Sequence, residues 1–275
     1  MTEAQSPALP VSNADRVNNA FAGAGAALGL VVWFYLFPFP FGLASGILAK
    51  SHPRLGLVLG LLAMLSVVPG VCWVARSVWG EHWQKAFPMA RVGSGLLLWT
   101  ALSVLVLISP QVVWFAVLDR TLGLPNLPDP IVTVGALAVV FGAPIAEEAL
   151  FRGYGLARIR ELGGERRALF FTAAVFALLH LPFGSWVKLP GTFVIGLFLG
   201  WLVLRTGSLW PALLGHFTNN AMVFVLSRWG RSAFLDSKPV PWFLILALGA
   251  MGLAGLAILW LPQVRGRIRG LTAST

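Results

Sequence analysis

Charge is what this sequence has least of. Only 11% of its 275 residues are Asp, Glu, Lys or Arg, against 57% hydrophobic residues and a mean hydropathy of +0.81. Soluble domains carry about 25% charged residues, so that class is excluded and the bilayer is the expected solvent. Acidic residues are the scarcer kind, 10 against 20 basic, for a net charge of +10. The excess does not point to nucleic acid, because the basic residues are scattered through short connections instead of gathered on one polar module. A single cysteine, Cys72, lies inside an apolar run, which excludes an internal disulfide and a cysteine-based metal site. Internal repeats and low-complexity linkers are absent too. The first apolar run lacks a small-residue cleavage site and reads as an uncleaved span.

What the chain does have is a series of apolar stretches of membrane-crossing length. Residues 1–17 read as a flexible polar leader. Residues 18–129 read as N-terminal transmembrane helices. The first runs Asn18–Phe37, where Pro38-Phe39-Pro40 bends or ends it before the apolar chain continues to Ala49; the next cover Leu55–Ala75 and Val92–Leu118, with a kink expected at Pro110. Residues 130–226 form a core of four spans: Ile131 onward, continuing as helix to Leu162; Leu169–Leu181; Gly191–Leu204; and Trp210–Leu226. Residues 227–275 add a last span, Trp242–Leu261, and a tail with Arg265, Arg267 and Arg269. The predicted fold is an all-α polytopic transmembrane bundle of about eight spans.

An even number of spans puts both termini on one side. The termini and alternate loops hold 13 of the 20 lysines and arginines, Arg158, Arg160, Arg166 and Arg167 among them, and this richer side is predicted to be cytoplasmic. Trp79, Trp83, Trp186, Trp210, Trp229, Trp242 and Trp260 fall near span ends, as interfacial anchors do.

Against this apolar background, Pro144-Ile-Ala-Glu-Glu-Ala-Leu-Phe-Arg-Gly153 stands out. Glu147 and Glu148 follow the 17 uncharged residues 130–146. An acid there costs about 2.5–3.5 kcal/mol on insertion scales, so it is expected to face a partner or a cavity. Neighbours on a helix point about 100° apart, so the two glutamates cannot share one task. Arg152, four residues after Glu148, lies on its face and is its expected counter-ion. Glu147 is left to face elsewhere. Pro144 removes the hydrogen bond to the Val140 carbonyl and is expected to bend the helix there.

Gly163-Gly164 is the next strong breaker, and it sets a register. Glu147 lies 16 residues before Gly163 and His180 lies 16 after Gly164, so an antiparallel hairpin puts them at equal depth, about 24 Å from the turn at 1.5 Å per residue. Phe176 precedes His180 by one turn and can pack beside it. His216 and Asn220, four apart, share one face of a later helix. His52 and His82 lie in loops and need no functional role.

These residues carry a family resemblance. Glu147-Glu148-Ala149-Leu150-Phe151-Arg152 is similar to the EExxxR motif of the CPBP family, the CAAX-protease and bacteriocin-processing (Abi) intramembrane peptidases. Phe176 to His180 resembles its FxxxH motif, and His216-Phe217-Thr218-Asn219-Asn220 its HxxxN motif, with order and spacing intact over residues 130–226.

The resemblance implies an all-helical core with a polar intramembrane cavity and hydrolysis of a peptide bond near the membrane. Carried over by position, Glu147 activates a water held with His180, His216 and Asn220 stabilise the oxyanion, and Glu148, Arg152 and Phe176 support the site. No cofactor is expected; a zinc-dependent form, with Glu147, His180 and His216 as ligands, is the alternative, although HExxH is lacking. A non-catalytic scaffold or chaperone of the same fold, and a transporter, remain as competing classes. The expected partners are membrane lipid and a peptide or protein substrate, lipidated or not, in a bacterial-type cytoplasmic membrane.

Overall fold

The computed structural model describes residues 29, 32–33, 35–48, 51–79, 87–122, 138–181 and 189–225. The leader 1–17, the start of the first span, His82, the turn 124–130, the last span and the basic tail lie outside the described residues.

Helices dominate throughout, and the described residues contain no strand beyond an isolated antiparallel bridge between Met89 and Ser208. The proline pair at 38 and 40 ends the first helical run in a turn at Phe37-Pro38, and a new short helix, α1 (Phe39–Leu48), begins directly after it. It folds back on α2 (Pro53–Leu65), to which Ser45 Oγ donates through the Gly56 carbonyl at 2.7 Å. α2 runs on through Ser66 into α3 (Val67–Trp79), since the Ser66 amide still bonds Leu62 and the Gly70 amide bonds Ser66. Together Arg54–Val74 are long and apolar enough to cross a membrane, with a mean hydropathy of 2.3. α4 (Ser94–Leu122) continues as one helix past position 110.

The acid-bearing helix departs from regular α geometry on both sides of the acids. A π-helical turn, Ala138–Gly142, leads into α5 (Ala143–Glu148), and a second π-helical stretch, Ala149–Gly155, leads into α6 (Leu156–Gly163). Pro144 sits at the start of α5, where the missing N–H coincides with the change of hydrogen-bond register, the kind of local widening that recurs at functional sites. Gly164 then takes φ +80, a conformation that favours glycine, and reverses the chain into α7 (Glu165–Leu179).

α8 (Leu189–Thr206) is the second helix long and apolar enough to cross a membrane, and α9 (Trp210–Val225) follows a tight turn. That turn is docked on the segment before α4: Ser208 Oγ donates to the Ala90 carbonyl at 2.7 Å and the Leu209 amide to the Pro88 carbonyl at 2.7 Å.

Buried apolar residues from α3, α4, α7 and α8 surround the acid-bearing helix, with Val67, Val104, Leu150, Phe151, Phe176, Leu199 and Leu202 at the centre. Large apolar side chains also stay exposed on the outer faces, among them Phe39, Leu98, Phe170, Leu178 and Val223. The polar groups thus turn inward while the apolar ones lie on both sides of the helices.

Candidate active site

Four helical segments supply the site. Glu147 and Glu148 come at the end of α5, Arg152 from the π-helical stretch after it, Phe176 and His180 from the end of α7, and His216 from α9, on which Asn220 lies one turn further along. Glu148 and Arg152 are 0% and 1% exposed, and Arg152 Nη1 donates to Glu148 Oε1 at 3.0 Å. The one-turn spacing along the helix produces this pair as expected.

His216, also buried, makes its shortest polar contact to Glu148, not to Glu147: Nδ1 lies 2.7 Å from Glu148 Oε1. Its other nitrogen, Nε2, lies 3.7 Å from Glu147 Oε2. The ring is long enough to touch both carboxylates, which point in different directions from successive positions. Glu148 Oε1 already accepts from Arg152, and it is placed to accept from His216 Nδ1 as well.

α7 ends at Leu179, and His180 caps it; the sequence places Pro182 two residues later, which discourages helix at the residue before it. The predicted span reached Leu181, so His180 sits at a helix end instead of inside a helix. Its Nδ1 donates to the Phe176 carbonyl at 2.8 Å, which leaves Nε2 as an acceptor facing Glu147 Oε2 at 4.0 Å. Glu147 and His180 thus meet at one depth across the Gly163-Gly164 hairpin. Glu147 Oε2 is buried and has no hydrogen-bond partner among the described residues.

Phe176 is the common wall. Its ring meets those of Phe151, His180 and His216 edge-on, with centroids 5.4, 4.8 and 5.7 Å away, and the Arg152 guanidinium carbon stands 4.2 Å from its centre. The cation and both imidazoles are held by one side chain.

Two residues that are not fixed positions of the three motifs contact residues that are. Gly196, on α8, accepts a 3.3 Å hydrogen bond from Arg152 Nη2 through its carbonyl, and a Cβ there would stand 3.2 Å from Ala173 on α7. Gly196-x-x-x-Gly200 was the available signal, since small residues one turn apart let helices approach closely. Asn219 Nδ2 donates to Asn220 Oδ1 at 3.1 Å. Nothing in the sequence pattern distinguishes Asn219 from an ordinary polar neighbour. His52, expected to lack a role, is exposed, and its ring bonds its neighbour Ser51.

The described residues hold no group of three His, Cys, Asp or Glu side chains drawn together tightly enough for a metal ion. No curated protein and no solved structure matches the chain. Residues 129–222, about a third of the chain and the same third that carries the three motifs resembling the CPBP family, match the family model described as Rce1-like, type II CAAX prenyl endopeptidase Rce1-like.

Proposed function

We propose that this chain is a CAAX-protease-type intramembrane endopeptidase that uses Glu147 to activate water. The observation that carries the reading is the convergence of three motifs on one buried carboxylate, with the Nε2 atoms of His216 and His180 at 3.7 and 4.0 Å from Glu147 Oε2. The family match over residues 129–222 supports the reaction class.

The hydrogen bonds support a division of labour. His180 Nε2 and Glu147 Oε2 are both acceptors, and their separation is one that a single water spans with two ordinary hydrogen bonds. A water donating both protons in this way turns its lone pair outward, towards a substrate carbonyl. Glu147 takes one of those protons as oxygen attacks, and delivers it to the leaving nitrogen as the carbon–nitrogen bond breaks. The products are a carboxylic acid, which keeps the second proton of the water until it passes it to the released amine or to solvent, and an amine, and Glu147 returns to its starting state.

His216 already donates Nδ1–H to Glu148, so a second donation, from Nε2–H to the oxyanion, requires the doubly protonated ring. Glu148 on one side and Glu147 on the other match that charge. Asn220, one turn further along α9, adds a donor through its side-chain amide. Positioned donors are most effective in a water-poor site.

A second reading has its own support. Both histidines donate through Nδ1, which suits Nε2 of each for a metal, and a carboxylate behind a ligating histidine is a frequent arrangement. Glu147, His180 and His216 would then hold zinc, which would polarise the attacking water. The spacings of 3.7 and 4.0 Å between Glu147 Oε2 and the two Nε2 atoms are looser than ligands on one zinc ion require, so the metal-free reading is preferred.

The exposed apolar faces and the two membrane-length helices support a multi-pass membrane protein, and the eight-span bundle with an internal polar cavity belongs to this proposal. So do the cytoplasmic placement of the basic loops and termini, the cytoplasmic membrane as location, and a lipid-associated peptide substrate. The test is cleavage of a farnesylated peptide ending in a CAAX sequence by purified protein in liposomes, run in ¹⁸O-water. A new carboxyl terminus carrying one solvent oxygen is expected. If neither this peptide nor any membrane protein compared by proteomics between wild-type and deletion cells is cleaved, the reading fails.

A further inference from the structure

We infer that the outer face of α7 carries a binding site for an anionic phospholipid, with Arg166 and Arg167 on the headgroup phosphate and Phe170 and Phe171 against the acyl chains. The inference goes beyond the proposed peptidase activity and rests only on the reading of the chain as a membrane protein.

The depth of these residues follows from their neighbours. α8 is 18 residues long and apolar enough to cross a membrane, and at 1.5 Å per residue it spans about 27 Å, close to the thickness of a hydrocarbon core. Its end at Arg205-Thr206 therefore marks one polar boundary. Glu165, the first residue of α7, has Oε2 3.9 Å from Arg205 Nη2 and so stands at that boundary. Arg166 and Arg167 follow it directly, at headgroup depth. Phe170 and Phe171 come one turn, about 6 Å, further in, where acyl chains begin.

The face is as specific as the depth. Four-residue spacing stacks Phe170 under Arg166 and Phe171 under Arg167, and all four residues are exposed, the phenylalanines by 61% and 43%. Exposed Leu178 carries the same side of α7 on across the membrane, while Ala168, Thr172 and Ala173 turn inward. The Phe170 ring meets Phe193 of α8 edge-on, with centroids 5.2 Å apart, which holds its orientation.

Charge separates Arg166 and Arg167 from the other arginines at this end. Arg158 pairs with Glu161 at 2.8 Å, Arg160 pairs with Glu165 at 3.2 Å, and Glu165 also faces Arg205. Both acids at the α6–α7 turn are thus engaged, and among the described residues neither Arg166 nor Arg167 has an ion-pair partner. Topology asks for basic residues on one side of the membrane; it does not ask for two unpaired ones directly above two exposed aromatic rings. A phospholipid answers both parts, since the guanidinium fork suits phosphate oxygens and the acyl chains cover the rings. An acidic protein segment would satisfy the arginines and leave the phenylalanines unexplained.

The test is native mass spectrometry of the full-length protein released from detergent and titrated with phosphatidylglycerol or with phosphatidylcholine, whose choline offsets the phosphate charge. Wild type is compared with R166Q/R167Q, with F170A/F171A and with R54Q, which removes an exposed arginine at the start of α2. Thermal unfolding checks that each variant folds. Wild type is expected to prefer phosphatidylglycerol. R166Q/R167Q is expected to lose about 25-fold in affinity for it, about fivefold for each arginine, with phosphatidylcholine binding unchanged. F170A/F171A should weaken both lipids alike, and R54Q should bind as wild type does. Equal wild-type affinities for the two lipids, a preference that survives in R166Q/R167Q, or an equal loss in R54Q would each overturn the inference.

Glycerol phosphate and a hexaglutamate peptide are added as competitors, and neither is expected to displace phosphatidylglycerol. Displacement by glycerol phosphate would reassign the arginines to a bare phosphate, and displacement by the peptide to an acidic segment; either result overturns the lipid site. If the protein binds neither lipid and is released from membranes by alkaline carbonate, the membrane-protein reading fails with it. A lost lipid preference in protein that stays with the membrane defeats the α7 site alone.

Discussion

His216 Nδ1 lies 2.7 Å from Glu148 Oε1, the same oxygen that accepts from Arg152 at 3.0 Å. One carboxylate oxygen thus joins the helix of the acid pair to a helix 68 residues further along the chain. Glu148 both pairs with a buried guanidinium and anchors the His216 ring through Nδ1. Glu147, one residue before it, is left with the two Nε2 atoms.

Glu148→Gln should therefore damage stability and activity together. It leaves Arg152 buried without its counter-charge, at a cost of about 3–5 kcal/mol, and loosens the His216 ring, lowering kcat by about 10–100-fold. Arg152→Met should destabilise similarly by stranding Glu148. The double variant Glu148→Gln/Arg152→Met is expected to regain most of the lost unfolding temperature while remaining poorly active. Purely additive losses of stability would contradict the buried pair.

Gly196→Ala places a methyl group 3.2 Å from Ala173 and 3.3 Å from Arg152 Nη2, tighter than ordinary contact. Forcing α7 and α8 apart is expected to cost about 1–3 kcal/mol. Ala173→Gly, which removes the opposing methyl group, should restore part of the stability in the double variant. Thermal unfolding in detergent reads both changes.

Phe176 separates packing from site geometry. Phe176→Ala should cost about 3–5 kcal/mol through the cavity it leaves, whereas Phe176→Leu keeps apolar volume and should cost less than about 1.5 kcal/mol. Both remove the ring that touches Arg152, His180 and His216. A leucine variant that folds well but cleaves slowly, at unchanged KM, is the expected outcome in steady-state kinetics.

Metal dependence follows from which reading of the two Nε2 atoms is correct. The metal-free mechanism predicts that purified protein stripped with a strong chelator, and shown by elemental analysis to contain no zinc, cleaves at the untreated rate. Loss of cleavage on stripping, regained with zinc, selects the zinc form instead.

Much of the site was legible because it obeys local rules. Glu148–Arg152 follows from one-turn spacing, and the meeting of Glu147 with His180 follows from counting equal lengths on either side of Gly163-Gly164. The His216–Glu148 contact was not legible, since it depends on how α9 rotates against α5, and spacing within either helix says nothing about rotation between them. The π-helical turns flanking the acids were likewise hidden: Pro144 announces an irregularity but not its hydrogen-bond register. Gly196 was visible as half of a Gly-x-x-x-Gly pattern, yet its carbonyl's role towards Arg152 requires the α7–α8 packing to be known. The docking of Ser208 on Ala90 joins residues 118 apart and has no local signature.

In the proposed mechanism Glu147, and not Glu148, is the base. Its most direct test is the rate at which Glu147→Gln, reconstituted in liposomes, cleaves a substrate of the wild-type protein, with unfolding temperature measured alongside. Glutamine keeps the shape of the side chain and removes its ability to take a proton. A fall in kcat of about 10²–10⁴-fold with an unfolding temperature close to wild type is expected; cleavage by Glu147→Gln at the wild-type rate would contradict the role of Glu147 as base.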